Sequence, residues 1–581
     1  MNGTIMNTSG AASPFPLIAA MALLAAVHPL PAQEAETPQA RVDALMAPYS
    51  SPESPGAVVA VVRNGEIVFQ RAYGMANLTH QVPLTVDTRG NLASTAKQFT
   101  AFAVALLAEQ GRLGLDDDVR VHLPELPDLG EAVTLRHLLT HTSGYREFLN
   151  ALAIGGWRIE DLDHISTREA LEVVRRQPEL QNSPGAEHNY NNTGYVLLAK
   201  VVERVTGQPF ADWLRDNVFE PLGMTATVVR EHSRQLVPGA AQGYAPVGDD
   251  AFHDAPDMGG GLGAGDIYST VGDLARWMTN LGTGDLGGRA VLDAMTTRNV
   301  LTTGDTTMYG LGLYVRTVRG LRMIEHGGGE MGHQSAFRYY PDLDAGLIVL
   351  SNHGRFDGSI PGRIAEIFFG EHMAPRQAPA AATPPPAEPV AAATEDVDPA
   401  SYDPASFDIF AGRYSVTIQP GMALSFRREE DRLLVEPTGQ TVLEMTPTSD
   451  STFTVPEAAS AVTFHKDPAG TVTGLTWHQG GMDFEARRLP DDEATLDLAA
   501  YEGRYYSAEF ETYYTVTAGD DHLVVRHRRR DPVTLRHGHG DAFVGAFPLV
   551  QVEFERDEHG NVTAFRAGNI RARDIRFERV R

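Results

Sequence analysis

Two apolar runs of β type, Ala57–Val62 and Ile67–Ala72, flank Asn64-Gly65, a pair suited to the positive φ angles of a tight hairpin. Helical periodicity follows over Ser94–Gln110, with Gly111 as a stop, and over Thr167–Arg176, Tyr195–Thr206 and Phe210–Val218. Short apolar alternations then predict strands at Tyr309–Val315, Leu321–Glu325, Ser335–Tyr340 and Gly346–Asn352, and a helix at Ile360–Phe369 closes the unit. Strands at both ends with helices between them predict an α+β unit, an antiparallel sheet flanked by helices.

The pattern changes after this unit. Pro375 to Ala400 is dense in Pro and Ala, includes Pro384-Pro385-Pro386 and lacks apolar periodicity. It reads as an extended linker, assigned to 373–403. A repeat follows at an offset of 90 or 91 residues. Gly412-Arg413-Tyr414 returns as Gly503-Arg504-Tyr505, Leu433 as Leu523, Phe453 as Phe543, and Phe464, Asp467 and Gly470 as Phe554, Asp557 and Gly560. Both copies alternate apolar and polar positions between turn signals, so two small antiparallel β-barrels are expected at 404–490 and 496–581. One two-lobed barrel fits the same pattern.

Composition narrows the functions. A chain of 581 residues is too long for one core. The formal charge of −27 excludes binding of nucleic acid by general electrostatic attraction. With no cysteine, disulfides, thiolate metal sites and a cysteine nucleophile are ruled out. Pro16–Leu30 is apolar but short for a membrane span, and Leu30-Pro31-Ala32 ends it with small residues. This resembles a signal peptide over residues 1–32, although no Lys or Arg precedes Arg41. The protein is expected to be exported, periplasmic or secreted, without a transmembrane anchor after cleavage.

The chemistry centres on Ser94-Thr95-Ala96-Lys97. Residues three apart share a helix face, so a lysine can take the proton of the serine hydroxyl once burial lowers its pKa from about 10.4. Tyr190-Asn191-Asn192 follows on a loop entering a helix, and His326-Gly327-Gly328 on a turn ahead of a strand. The order S-x-x-K, Y-x-N, H-x-G resembles the penicillin-recognising serine hydrolases: class C β-lactamases, D-alanyl-D-alanine carboxypeptidases, D-aminopeptidases and related esterases. Thr134 to Gly144, Pro184-Gly185, Phe219 to Met224 and Tyr309 to Gly312 extend the likeness across about residues 40–370.

That resemblance implies a serine β-lactamase-like α/β sandwich with a helical subdomain over 40–372. It implies Ser94 as nucleophile, Lys97 as base and Tyr190 as proton relay, with Asn192, His326, Gly328 and Gly329 on the substrate and oxyanion. No cofactor or metal is expected. The expected substrate is a small peptide, amide or ester with a D-residue. A β-lactamase or carboxylesterase of the same family is one alternative, and a non-catalytic binder of peptidoglycan fragments is another. His326 stands where many relatives carry lysine. Mostly neutral at pH 7, it is expected to hold a substrate carboxylate weakly, and better at lower pH. Glu330 and His333 are further candidates for substrate contact. His137 and His141, spaced i, i+4, lack the glutamate and third ligand of a zinc site and read as structural. Arg526-His527-Arg528-Arg529-Arg530 reads as a solvated strand face, with contact to anionic wall polymers or a gate near the active site as the alternative.

Overall fold

The computed structural model describes residues 37–375 and 404–580, apart from 160, 162, 249–250, 418–421, 439, 459, 480–481 and 491–495. The expected signal peptide and the Pro/Ala-rich stretch fall outside the described residues.

Six antiparallel strands form the central sheet, in the order Tyr314–Val318, Leu321–Glu330, His333–Tyr340, Ala345–Ser351, Ala57–Arg63, Glu66–Tyr73. The two chain ends of the unit meet where Ala57–Arg63 pairs with Ala345–Ser351. Asn64 (φ 51°) and Gly65 (φ 76°) make the tight turn that their sequence demands. Ala57–Arg63 is buried on both faces. Val58, Ala60 and Val62 face the main core, whereas Ala57, Val59 and Val61 face the layer of Pro38–Met46 and Ile360–Phe369. This explains its continuous apolar run: alternation of hydrophobicity disappears when both faces are covered.

The Lys97–Glu109 helix lies in the main core and buries ten of its residues. Its sequence is apolar all round, as a fully enclosed helix requires. Around it pack Asn192–Thr206 and the shorter helices between Val119 and Arg176.

The strand Leu321–Glu330 runs five residues past its expected end, so His326-Gly327-Gly328 sits on a strand and not on a turn. Gly327, Gly328 and Gly329 pair with Ala336, Ser335 and Gln334. The glycines resemble turn residues but serve another purpose. A Cβ on Gly328 would stand 2.2 Å from the Leu92 carbonyl oxygen and 2.3 Å from Ser335 Oγ. Only glycine lets this strand lie against the turn that carries Ser94. Tyr309–Leu313, expected as strand, is loop, and the strand begins at Tyr314.

Each C-terminal repeat is a closed eight-stranded antiparallel barrel, Gly412–Arg488 and Gly503–Val580. The same bond recurs in both: Tyr414 donates to the Phe410 carbonyl (3.1 Å) and Tyr505 to the Tyr501 carbonyl (2.7 Å). Their cores differ in connection. The first barrel has its own apolar cluster. The cluster of the second is continuous with that of the catalytic unit. Tyr514 donates to the Ile154 carbonyl at 2.9 Å, and the rings of Phe510 and His527 press on Gly155 and Gly156. The basic run belongs to this contact. Arg529 pairs with Asp163, Arg530 donates to the Trp157 carbonyl, and His527 is buried against Thr512 at 2.7 Å. The solvated-face reading therefore fails for His527, Arg529 and Arg530, because their neighbours across the interface engage them. Among the described residues no helix is long and apolar enough to cross a membrane.

Candidate active site

Ser94 sits on a 3-10 turn, Ala93–Ala96, that runs directly into the Lys97–Glu109 helix. The turn is sharp. Ala93 has φ 44°, an uncommon state for a residue with a Cβ, and Asn91 holds it by accepting from the Ala93 N–H at 2.8 Å.

Lys97 is fully buried. Its Nζ lies 3.1 Å from Ser94 Oγ, 2.7 Å from Asn192 Oδ1 and 2.8 Å from the Ala264 carbonyl oxygen. Burial holds its pKa well below the usual lysine value, Glu147 opposes this, and Arg571 adds to it. A neutral amine has two hydrogens. Asn192 Oδ1 and the Ala264 oxygen can only accept, so they take both, and the lone pair faces the Ser94 hydroxyl.

Tyr190 lies beside this amine, with Lys97 Nζ 5.0 Å from its ring centroid. Its ring stacks on His141 at 4.2 Å. The hydroxyl is buried with no hydrogen-bond partner at contact distance. Burial raises this phenol above its ordinary value, while the neighbouring Ser94 pulls the other way. No ammonium beside it draws this phenol down, because Lys97 is itself held towards neutrality. Tyr190 is poised as a protonated donor.

Asn192 begins its helix and links two groups: Oδ1 accepts from Lys97, and Nδ2 donates to Glu147 Oε1 at 2.9 Å. Asn191 caps the helix. His141 accepts from the Asn191 N–H, and His137 caps its own helix with Thr134. Both histidines are structural, and the described residues hold no metal-binding cluster.

His326 is buried and satisfied at both ring nitrogens. Nδ1 lies 2.7 Å from the Gly327 carbonyl, so it carries the hydrogen, and Nε2 accepts from the Tyr309 hydroxyl at 3.0 Å. Burial pushes its pKa down to about 3. The expected return of a cation at lower pH fails for this reason: the imidazole stays neutral throughout the mildly acidic range.

A cleft of about 540 Å³ opens beside Ser94, bordered by Phe148, Asn192, Met258, Asp266, Gly329 and Glu330. Gly329 thus borders the cleft with Ser94, and Gly328 packs behind it against Leu92. Glu330 accepts from Asn91 Nδ2 at 2.9 Å, and burial raises its pKa to about 7 with Asp266 adding to the shift. Burial raises Asp266 to about 6. Arg230 pairs with Asp257 and, at 3.2 Å, with Asp266. His333 is not at this border. It is buried beside Tyr268 and held near pKa 4 by burial.

Glu147, Asn91, Ala264 and Arg571 were not singled out in the sequence. Only Glu147 carried a signal, its place three residues after Gly144 in the extended likeness.

The profile of the beta-lactamase family matches residues 39–371, more than half of the chain. The chain belongs to the beta-lactamase family. With it comes the chemistry of serine hydrolases of the D-aminopeptidase and penicillin-binding type. A domain of unknown function (DUF3471) matches residues 487–579, the second barrel. A penicillin-binding protein of Bacillus subtilis (strain 168) is 30% identical over 418 residues, 68% of this chain and 86% of that protein. A D-aminopeptidase of Cereibacter sphaeroides (strain ATCC 17029 / ATH 2.4.9) is 25% identical over 468 residues, 80% of this chain and 82% of that one. The octameric penicillin-binding protein homologue from Pyrococcus abyssi shares the fold, with TM-score 0.51 and 20% identity over 84% of this chain and 98% of its own.

Proposed function

We propose that the protein is an exported hydrolase that forms an acyl-enzyme on Ser94, with short D-residue peptides, amides or esters as substrates. The observation that carries this reading is the buried amine of Lys97, 3.1 Å from Ser94 Oγ with both its hydrogens engaged elsewhere.

The neutral Lys97 takes the Ser94 proton as Oγ attacks the carbonyl carbon. The Ser94 and Gly329 N–H groups receive the oxyanion. As the C–N or C–O bond breaks, Tyr190 gives its proton to the leaving group and regains one from the Lys97 ammonium. Water then repeats the sequence on the acyl-enzyme and releases Ser94.

The acid-lined side of the cleft favours an aminopeptidase over a β-lactamase. Asp266 and Glu330 border the cleft with one arginine, Arg355, while Arg230 pairs with Asp257 and Asp266 beside them. Carboxylates thus outnumber arginines by one, which suits an acyl group carrying a free ammonium. The D configuration and the free amine are taken from the D-aminopeptidase relatives. Export rests on the apolar leader ending at Ala32.

A fluorophosphonate probe tests the core of the proposal. Labelling of the native protein and none of Ser94→Ala is expected. Equal labelling of both, or of neither, overturns it and favours a silent binding protein. A panel of D-aminoacyl amides, D-Ala-D-Ala peptides, nitrocefin and p-nitrophenyl esters then ranks the substrates. Terminal sequencing of secreted protein, expected to start after Ala32, checks export.

A further inference from the structure

The loop 569–574 of the second barrel enters the neighbourhood of the active site. It carries Arg571, whose guanidinium carbon stands 5.0 Å from the centroid of the Tyr190 ring. Its charge is felt at Lys97, Tyr190 and Tyr314.

The arginines around it have carboxylate partners. Arg566 pairs with Glu179 and Glu555, Arg573 with Glu187, and Arg576 with Glu555 and Glu578. Among the described residues Arg571 has no carboxylate within ion-pair distance. Its backbone, in contrast, is tightly held. The Arg571 N–H donates to Asn569 Oδ1 at 3.2 Å, and its carbonyl accepts from the Glu147 N–H and Gln181 Nε2, each at 3.3 Å. The flanking Arg573 N–H donates to Gln181 Oε1 at 3.1 Å. Arg146 grips the same loop through the carbonyls of Arg573 and Asp574, each at 2.8 Å. A fixed stem with an unpaired charge at its tip is a preorganised anchor for an anion.

Arg355 also borders the cleft, next in the chain to Gly354, which packs on Gly332. The remaining cations near Ser94 do not compete for this role. Lys97 is held towards neutrality, and His326 uses both ring nitrogens inside the protein. Arg316 is paired with Glu325. An arginine remains charged at any working pH and binds a carboxylate through two parallel donors.

We propose that Arg571 is the substrate's carboxylate anchor, receiving an anionic group carried by the leaving part of the substrate. The assignment of side follows from Tyr190. That residue hands a proton to the leaving group, so a cation stacked on its face meets what leaves and not what is acylated. This inference rests on the hydrolase reading above and deepens it. With an acid-lined acyl side and a cationic leaving side, the matching substrate class is a zwitterionic dipeptide with free amine and free carboxylate.

The experiment compares D-alanyl-D-alanine with its C-terminal amide on native protein, Arg571→Gln and Arg571→Lys. Loss of a charge-assisted bidentate contact lowers kcat/KM for the free acid about 30-fold, chiefly through KM. The neutral amide is expected to lose about tenfold less than the acid, and its change measures what Arg571 does through Lys97 and Tyr190. Arg571→Lys is expected to recover part of the preference, which also guards against a folding defect in the glutamine variant. Equal changes for acid and amide overturn the proposal, as does no change for either. A second readout needs no turnover. In a Ser94→Ala background, calorimetric binding of the free acid is expected to weaken by a similar factor when Arg571→Gln is added, while the amide does not respond. If neither peptide is hydrolysed but this binding contrast persists, the hydrolase reading fails and the anchor stands. If turnover persists without the contrast, the anchor alone fails.

Discussion

Arg146 and Glu509 form a buried ion pair between the catalytic unit and the second barrel, with Nη1 2.9 Å from both carboxylate oxygens and side chains 0% and 6% exposed. The next residue, Glu147, holds Asn192, which holds Lys97. The barrel is thereby coupled to Lys97 through three side chains, Arg146, Glu147 and Asn192, and one peptide bond.

Glu509→Ala leaves the Arg146 cation buried and unpaired. A cost of about 3–5 kcal/mol is expected from breaking such a pair. Loss of kcat should accompany it, because Arg146 is bonded directly to Glu147, which holds Asn192. A fragment ending at Pro375 should fare worse, since it uncovers the shared apolar cluster as well. Native-like kcat on a small ester in that fragment, read beside its thermal melt, would show that the barrel is a mere accessory.

Gly156 tests the contact at a second point. Its φ is 97°, and a Cβ there would stand 2.1 Å from His527 Cε1. Gly156→Ala should push the barrel away and reduce activity without altering any group around Ser94. Limited proteolysis should then cut near the loop 569–574 sooner than in native protein; an unchanged digestion pattern with full activity contradicts this contact.

Ser94→Ala removes the attacking oxygen, and a loss of roughly 10⁴-fold or more in kcat is expected. Tyr190→Phe keeps the ring on His141 but deletes the donor, for a loss of about 10²–10⁴ with the melt unchanged. Steady-state rates on one ester and one amide decide both. A tenth of native activity left in Ser94→Ala would remove it from the role of nucleophile.

Glu330 gives a pH signature. Its pKa is raised from 4.5 to about 7 in the folded state, chiefly by burial. The sign follows: the stability it contributes is fully present below pH 4.5 and is lost as pH rises through about 7. Glu330→Gln, neutral at every pH, should therefore raise the melting temperature more at pH 8 than at pH 5. Equal shifts at both pH values would mean that Glu330 is ionised in the folded protein from the start.

Ser94, Lys97 and Tyr190 were legible because their chemistry is local: spacing on one helix and a short motif at a helix entry. The hairpin at Asn64-Gly65 and the helix Ile360–Phe369 were legible for the same reason. The strand through Gly327–Gly329 was not, since glycine marks both a turn and a close approach, and only the neighbouring Leu92 and Ser335 tell the two apart. His326 looked like a pH-dependent anchor until its two partners were known. Arg571 was invisible for a different reason. Nothing in the sequence near it signals a site, and the dense basic run Arg526–Arg530 drew attention instead. Its importance comes from where a barrel docks, which no local pattern encodes.

The two barrels treat the same hairpin differently. In the first, pairing continues to Gln479 and Met482. In the second it stops at Ala567 and Ile575, and the stretch left over carries Arg571 to Tyr190. A duplicated module has here been divided between two fates, one copy kept zipped and the other opened to serve its neighbour. On the anchor proposal, selectivity resides on a hairpin tip that can change its length and charge without touching Ser94 or Lys97.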